Sequence, residues 1–502
     1  MTDSDGSYRR MVRSVRIVGS ASVLNVILGV VRLKIFALLL GPAGVGLAGL
    51  YTNLMTLSAT VSGLGIGSSG LRQVASMKHD PSRRGAILSA LWFAGLTLGA
   101  FGGAATYFLR EILAVHVLGD IQYASGVAWT GIGVAASVIG VVFCAIPQGL
   151  QRLGDFARIN VIGNSIGSLG AVAIIWQFGA SGIPYAVICL PLGVAIAAAV
   201  TVGRLVRSEL TYPVESLCKE IAPVLRFGIT MLFTSILSIG TVMAARVIIA
   251  DRLGLDVAGY FHAARIISAT YMAFLLSAMA TDFYPRVTAT VAAGSDPASL
   301  IRDQMHFGVV LASPLVVGVI AFASPIILLL YSAEFSASAT ILQIQLLGDL
   351  LKVMSFPLGF TLLALGKSWK FLSTEVMWNL VYLCILLLGL ERFGIAVVGV
   401  AYLASYAANL TLTFFMVRHS IGFRPNGKLK WTAAISIALA VAVSMLALFA
   451  SATVGYIGGA LAICVLGAYT AHVVIPEVAT REYMRPLIRI TKTLRSKFLD
   501  DK

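Results

Sequence analysis

Acidic residues are scarce in this chain. Only 22 Asp and Glu stand against 37 Lys and Arg, and all four types together make up 12% of 502 residues. A soluble protein of this length needs far more polar surface to cover its core, so a water-soluble domain is excluded. Five cysteines, Cys144, Cys189, Cys218, Cys384 and Cys464, are scattered without a Cys-x-x-Cys, and four of them fall in apolar runs. That pattern points to neither a disulfide framework nor a metal site. The six histidines form no His-Glu-x-x-His, and there is no phosphate-binding loop or Gly-x-Ser-x-Gly elbow. Small residues such as those of Gly63-Leu-Gly-Ile-Gly67 serve close packing of helices more often than phosphate binding. No outer loop exceeds about 15 residues, which leaves no ATPase module and little room for a loop-borne transferase site. No enzyme activity, cofactor or metal is therefore expected.

Long apolar stretches fill the space that charge leaves. Hydrophobic residues make up 58% of the chain, and the mean hydropathy is +0.91. The runs reach the roughly 20 residues of a bilayer-crossing helix and lack the alternation of an outer-membrane barrel. The expected fold is an all-α polytopic membrane protein with about fourteen transmembrane helices. They are placed at about 17–40, 46–71, 86–109, 123–150, 159–178, 183–203, 227–250, 257–285, 304–330, 339–366, 369–390, 394–417, 431–450 and 454–475.

With the N-terminus inside, the cytoplasmic segments hold 29 Lys and Arg, whereas the outer loops hold only Arg110, Arg252 and Arg392. An asymmetry of that size puts both ends in the cytoplasm. The net charge of +15 belongs to this asymmetry and is no sign of nucleic acid. The first apolar run follows Arg9, Arg10, Arg13 and Arg16, as in a signal peptide. It is too long for one, contains Arg32 and Lys34, and is expected to be retained. In the basic tail, 477–502, Met484, Leu487, Ile488, Leu494 and Phe498 fall near helical spacing. That fits either an amphipathic helix on an anionic leaflet or a plain basic tail.

The chain repeats itself at offsets from 210 to 216 residues. Leu40-Gly41 followed by Gly49-Leu50-Tyr51 recurs as Leu253-Gly254 followed by Gly259-Tyr260; Asp80-Pro81 as Asp296-Pro297; Leu153-Gly154 as Leu365-Gly366; Gly182-Ile183 as Gly394-Ile395. Each unit holds six spans, so both insert the same way and form a parallel repeat. The expected domains are an N-terminal six-helix lobe (1–210), a C-terminal six-helix lobe (211–424), an additional helix pair (425–476) and the tail.

Five basic residues fall within spans: Arg32, Lys34, Arg246, Arg265 and Lys352. A charge at the bilayer centre costs roughly 2.5–3.5 kcal/mol, so it faces a bundle interior or a wet cavity, unless a long side chain reaches back to the headgroups. Lys34 and Arg246 are equivalent across the repeat, 212 residues apart, whereas Arg32 points to a different face. Asp349 and Lys352 lie near mid-span on one helical face and can meet, just before Pro357 and Gly359. Their first-repeat counterparts, Ser137 and Gly140, carry no charge. The pair is either a clamp between helices or part of a working site. Glu375 lies about two turns into the next span, and Asp282 near the inner end of the eighth. An interior with more bases than acids favours an anionic substrate over an organic cation. The candidate substrate-binding residues are Lys34, Arg246, Arg265 and Lys352; the candidate ion-coupling residues are Asp349, Glu375 and Asp282.

The stretch LLLGPAGVGLAGLYTNLMTL (38–57) resembles the first-loop signature of Wzx-type polysaccharide flippases, the O-antigen and lipid III translocases. So does QIQLLGDLLKVMSFPLGFTLLALGKSWKFLSTEV (343–376), including Gly348, Asp349 and Lys352, and Lys34 falls where such proteins carry a lysine. Weaker similarity runs over about 10–420. The resemblance implies the two-lobed fold of the multidrug/oligosaccharidyl-lipid/polysaccharide exporter superfamily. It also implies a bacterial inner membrane and alternating-access translocation of undecaprenyl-diphosphate-linked oligosaccharide, such as an O-antigen unit of lipopolysaccharide. The implied partners are that lipid, membrane lipids, a coupling ion (proton or sodium) and other polysaccharide assembly proteins. The fourteen expected spans depart from the twelve of many relatives and resemble the lipid II flippases. Two other readings stay open: a multidrug or cation antiporter of the same superfamily, and an integral-membrane glycan polymerase or ligase.

Overall fold

The computed structural model describes residues 3–76, 84–206 and 214–480. The helices are α1 (Asp3–Ser62), α2 (Ile66–Ser76), α3 (Arg84–Phe108), α4 (Arg110–Leu113), α5 (Ala124–Gly149), α6 (Leu153–Phe178), α7 (Ile183–Val206), α8 (Val214–Leu253), α9 (Leu255–Ala292), α10 (Ala298–Ala321), α11 (Ala323–Leu330), α12 (Ala337–Ala364), α13 (Ser368–Phe393), α14 (Ala396–Ile421), α15 (Gly427–Phe449) and α16 (Ala452–Thr480). No strand occurs among the described residues.

The chain is thus an all-helical, multi-span membrane protein. Among the described residues, eleven helical stretches are long and apolar enough to cross a membrane. Two of them, Ser20–Ser62 and Leu153–Leu205, each hold two of the expected spans. The tail from residue 481 onward lies outside the described residues.

Helix α1 is two helices in one. Its backbone leaves the helical region at Gly41, with φ 63° and ψ −172°, and resumes at Pro42. Glycine enters that left-handed region without a Cβ penalty, and proline suits the first turn of a new helix. By contrast, α12 runs helically from Ala337 to Ala364 through Pro357.

The chain packs as two compact units. Unit 1 comprises Met1–Ala264, Ile327–Ser338 and Leu383–Ile395; unit 2 comprises Arg265–Ile326, Ala339–Tyr382 and Ala396–Lys502. Unit 1 therefore joins the first sequence repeat to three pieces of the second. Its core is built where α3 meets α5, with Trp92 stacked on Phe143 at 4.3 Å among buried Leu88, Leu91 and Ile146. The core of unit 2 gathers Phe283, Ile301, Leu358, Leu362 and Phe423 from α9, α10, α12 and the turn after α14.

The additional pair α15–α16 packs on α10. Polar contacts fix the match: the Tyr469 hydroxyl lies 3.0 Å from Thr432 Oγ1 and 3.4 Å from His306 Nε2. Thr470 Oγ1 donates to the Val310 carbonyl at 2.8 Å. Apolar helices in lipid gain nothing from one another by hydrophobicity, so such bonds and close packing decide where they dock.

Candidate functional site

Asp349 is the most enclosed acid among the described residues of unit 2, with no exposed surface. Arg265, Ser268 and Tyr271 recur every three residues and share one face of α9. From that face Ser268 Oγ donates to Asp349 Oδ2 at 2.7 Å and the Tyr271 hydroxyl donates to the same oxygen at 2.5 Å. From α14 the Tyr402 hydroxyl donates to Oδ1 at 2.8 Å. Three hydroxyl donors from two neighbouring helices thus converge on one carboxyl within an apolar span. Hydrogen bonds to a charged group contribute about 1.5–3 kcal/mol each, enough to offset burial at such a depth.

Asp349 and Lys352 form no ion pair among the described residues. Instead, Lys352 Nζ lies 5.3 Å from the centroid of the Tyr406 ring, within cation–π range. The reason is that Asp349 turns to the hydroxyls of α9 and α14, whereas Lys352, one turn on, meets the next aromatic of α14. Tyr406 in turn packs 4.7 Å from Tyr402 and stacks at 5.5 Å on Trp378 of α13. Trp378 Nε1 donates to Glu375 Oε2 at 2.9 Å. A line of aromatic rings therefore joins Asp349 to Glu375, with Lys352 alongside it. Arg265 is half-buried near Tyr402 and, like Lys352, has no acidic partner within ion-pair distance among the described residues.

Unit 1 holds the two repeat-related cations. Arg246 of α8 is only 2% exposed; it donates through Nη1 to the Gly49 carbonyl and meets His262 Nδ1 through Nη2 at 2.9 Å. Its guanidinium carbon lies 5.9 Å from the Phe261 ring centroid. Lys34 Nζ donates to the Leu328 carbonyl at 2.8 Å and to the Tyr331 carbonyl. Those carbonyls end α11, where a cation offsets the negative end of the helix dipole. Both cations, expected to bind substrate, are thus engaged by backbone oxygens. Arg32, on a different face, donates to Ser168 Oγ at 3.3 Å.

Asp282 is exposed and pairs with Arg286 at 2.8 Å, sharing no hydrogen bond with the Asp349 group. The structure thus brings Asp349, Lys352, Arg265 and Glu375 into one neighbourhood and leaves Asp282 apart. Sequence reasoning missed Ser268, Tyr271, Tyr402, Tyr406 and Trp378. The three-residue spacing of Arg265, Ser268 and Tyr271 within an apolar span was the available signal.

Residues 35–340 match the profile of a family described as polysaccharide biosynthesis protein. The lipid III flippase of Escherichia coli (strain K12) is 22% identical over 384 residues, which covers 76% of this chain and 91% of the relative. The lipid III flippase of Shigella flexneri matches to the same extent. Among solved structures, a lipid II flippase, MurJ, in an inward closed conformation superposes with a TM-score of 0.70 at 13% identity. It covers 91% of this chain and 99% of its own. An inward-facing multidrug transporter of the MATE family in the MOP superfamily gives a TM-score of 0.62 at 16% identity, covering 81% of this chain and 96% of its own. At those identities the likeness speaks for a shared fold.

Proposed function

This chain belongs to the polysaccharide biosynthesis protein family, and on that premise we propose that it is an ion-coupled flippase. Its cargo is an undecaprenyl-diphosphate-linked oligosaccharide, carried across the bacterial inner membrane by alternating access. The observation that carries this reading is the enclosed Asp349 with its three hydroxyl donors. A bundle gains no packing from a buried charge, and apolar replacements of such groups are often neutral or stabilising. Intramembrane carboxyls instead mark ion and proton paths. Beside it, Arg265 and Lys352 carry positive charge with no acid within ion-pair distance among the described residues, which suits an anionic diphosphate better than a cationic drug. Lys34 and Arg246 become available to substrate only when their carbonyl bonds open.

Replacing Arg265 or Lys352 with Gln should leave protein in the membrane and slow the appearance of lipid-linked oligosaccharide at the outer face by about tenfold, a ~1.4 kcal/mol change. Full-rate transport by both variants, normalised to membrane protein, would sink the anionic-site reading.

The same reading has the chain crossing fourteen times with both ends in the cytoplasm, resting on the 29-to-three split of basic residues. Reporter fusions after Gly119, Ala337 and Ser451 should signal the periplasm, and those after Lys78, Gly427 and Lys502 the cytoplasm. Inverted signals at any two would break this topology.

A further inference from the structure

Two turns at one end of unit 2 are rich in bases and hold no acid. Residues 365–372 carry Lys367 and Lys370, and residues 418–431 carry Arg418, Arg424, Lys428 and Lys430. Each segment also carries a tryptophan near the start of a long helix: Trp369 of α13 is 83% exposed and Trp431 of α15 72%. The two turns share one apolar floor, where Phe423 and Leu429 pack with Leu358 and Leu362, with Phe371 at the edge. Arg302 of α10 braces the second turn, its Nη1 donating to the Arg424 carbonyl at 3.3 Å. The backbone is fixed as well. Gly366 and Gly422 end their helices at φ of 70° and 67°, and Asn426 Oδ1 caps α15 by accepting from the Leu429 amide at 2.9 Å. None of these bases forms an ion pair among the described residues. Arginines of other turns do: Arg152 and Arg158 meet Asp155, and Arg286 meets Asp282. Of the acids flanking the start of α10, Asp296 accepts from the Ala298 amide at 2.9 Å and Asp303 is exposed.

We propose that this basic surface, flanked by its two tryptophans, binds the headgroup of an anionic phospholipid. A count of bases is enough to orient a chain in a membrane. Bases left without carboxylates over a rigid floor can do more. Charged donors bond phosphate oxygens strongly, and basic surfaces at the ends of membrane helices hold anionic headgroups in this way. The tryptophans set the class of partner. Trp431 heads an exposed stripe down α15 through Ile435, Met445 and Phe449, and Trp369 heads one down α13 through Met377, Leu380 and Leu388. An indole, with an apolar body and one N–H, sits at the boundary between headgroups and acyl chains. The basic surface is thus continuous with apolar faces suited to lipid chains. A phospholipid needs that continuity, and a soluble acidic protein does not. Because hydrogen bonds within the protein already fix both turns, little ordering opposes binding. On the topology given above this is the cytoplasmic leaflet, although the contact requires neither that side nor the flippase reading.

The test places the full chain in nanodiscs of phosphatidylcholine. Acyl-brominated phosphatidylglycerol or acyl-brominated phosphatidylcholine is added at rising mole fraction to quench tryptophan fluorescence. The brominated phosphatidylglycerol should reach half-maximal quenching at a mole fraction about fivefold lower, the enrichment that one engaged cation supplies. Arg424→Gln, Lys428→Gln and Lys430→Gln combined should bring the two midpoints together. Trp369→Phe with Trp431→Phe should abolish the difference by removing its reporters. All of these positions are exposed, so both variants are expected to fold, and protein per disc is measured for each. Equal midpoints in the parent would overturn the proposal and leave the surface to an acidic protein. A preference unchanged in the glutamine variant or in the phenylalanine variant would put the lipid elsewhere and overturn it too. So would loss of the preference to inorganic phosphate at an ionic strength where sodium chloride preserves it, which marks a site for free anions. No transport is measured, so failure here is distinct from failure of the flippase reading.

Discussion

Asp349→Asn is expected to insert at close to the normal level and to transport about a hundredfold more slowly, a loss of ~2.7 kcal/mol in the barrier. Asparagine keeps the shape of the carboxyl, and its amide oxygen accepts hydrogen bonds. With the amide nitrogen on the side of Ser268 and Tyr271, those two hydroxyls rotate to accept its two N–H bonds while Tyr402 keeps donating to the oxygen. The charge and the exchangeable proton are lost, while the shape and most of the hydrogen bonding are kept. Asp349→Ala removes the acceptor outright and leaves three enclosed hydroxyls unmet, at about 1–3 kcal/mol each, so this variant should also accumulate poorly. Adding Lys352→Ala should restore neither its level nor its transport, because Lys352 lies against the Tyr406 ring and makes no direct ion pair with Asp349, so its loss fills no gap left by the carboxyl. The quantity to measure is lipid-linked oligosaccharide at the outer face per unit of membrane protein. Normal transport by Asp349→Asn would make the residue a structural hub and shift the search to Glu375.

Arg246→Ala is expected to lower the thermal stability of the detergent-solubilised protein more than any other single truncation among the intramembrane cations. The side chain is almost wholly buried between the Gly49 carbonyl, His262 and the Phe261 ring. Truncation opens a cavity of the kind that costs about 2–5 kcal/mol in a packed interior. Removing the charge returns part of that through relief of desolvation. Arg246→Met separates the two effects, since it refills the volume without charge or donors. Should the hydrogen bonds dominate, Met will be nearly as destabilising as Ala, and Lys will recover part of the loss. A methionine variant as stable as the parent would show that Arg246 only fills space.

The helical framework was legible because each span must satisfy its own backbone hydrogen bonds, which forces long apolar runs that hydropathy alone locates. Asp349 was legible for the same reason, as a charge where charge is costly. Its hydroxyl partners were not, since they lie 81, 78 and 53 residues away in sequence and look like ordinary span residues. Gly348 is the local hint: a Cβ there would sit 2.7 Å from the Tyr402 ring. The direct Asp349–Lys352 contact failed because helical spacing places side chains on one face without saying what else that face meets. The equivalence of Lys34 and Arg246 could be read from the repeat offset. Their acceptors could not, because a backbone carbonyl is present at every residue and carries no sequence signature.

The docking of α15–α16 on α10 sets an order of events during synthesis. The Val310 carbonyl and the Thr470 hydroxyl that meets it are separated by 160 residues. At ~5–20 residues/s, a ribosome needs about 8–32 s to bring the second after the first. Throughout that interval α10 lacks the two helices that pack on it, and its Val310 carbonyl faces Pro314 one turn on, which has no N–H to give. The last pair therefore completes an earlier helix rather than following it, and the nascent chain needs a host for α10 until the final two spans emerge.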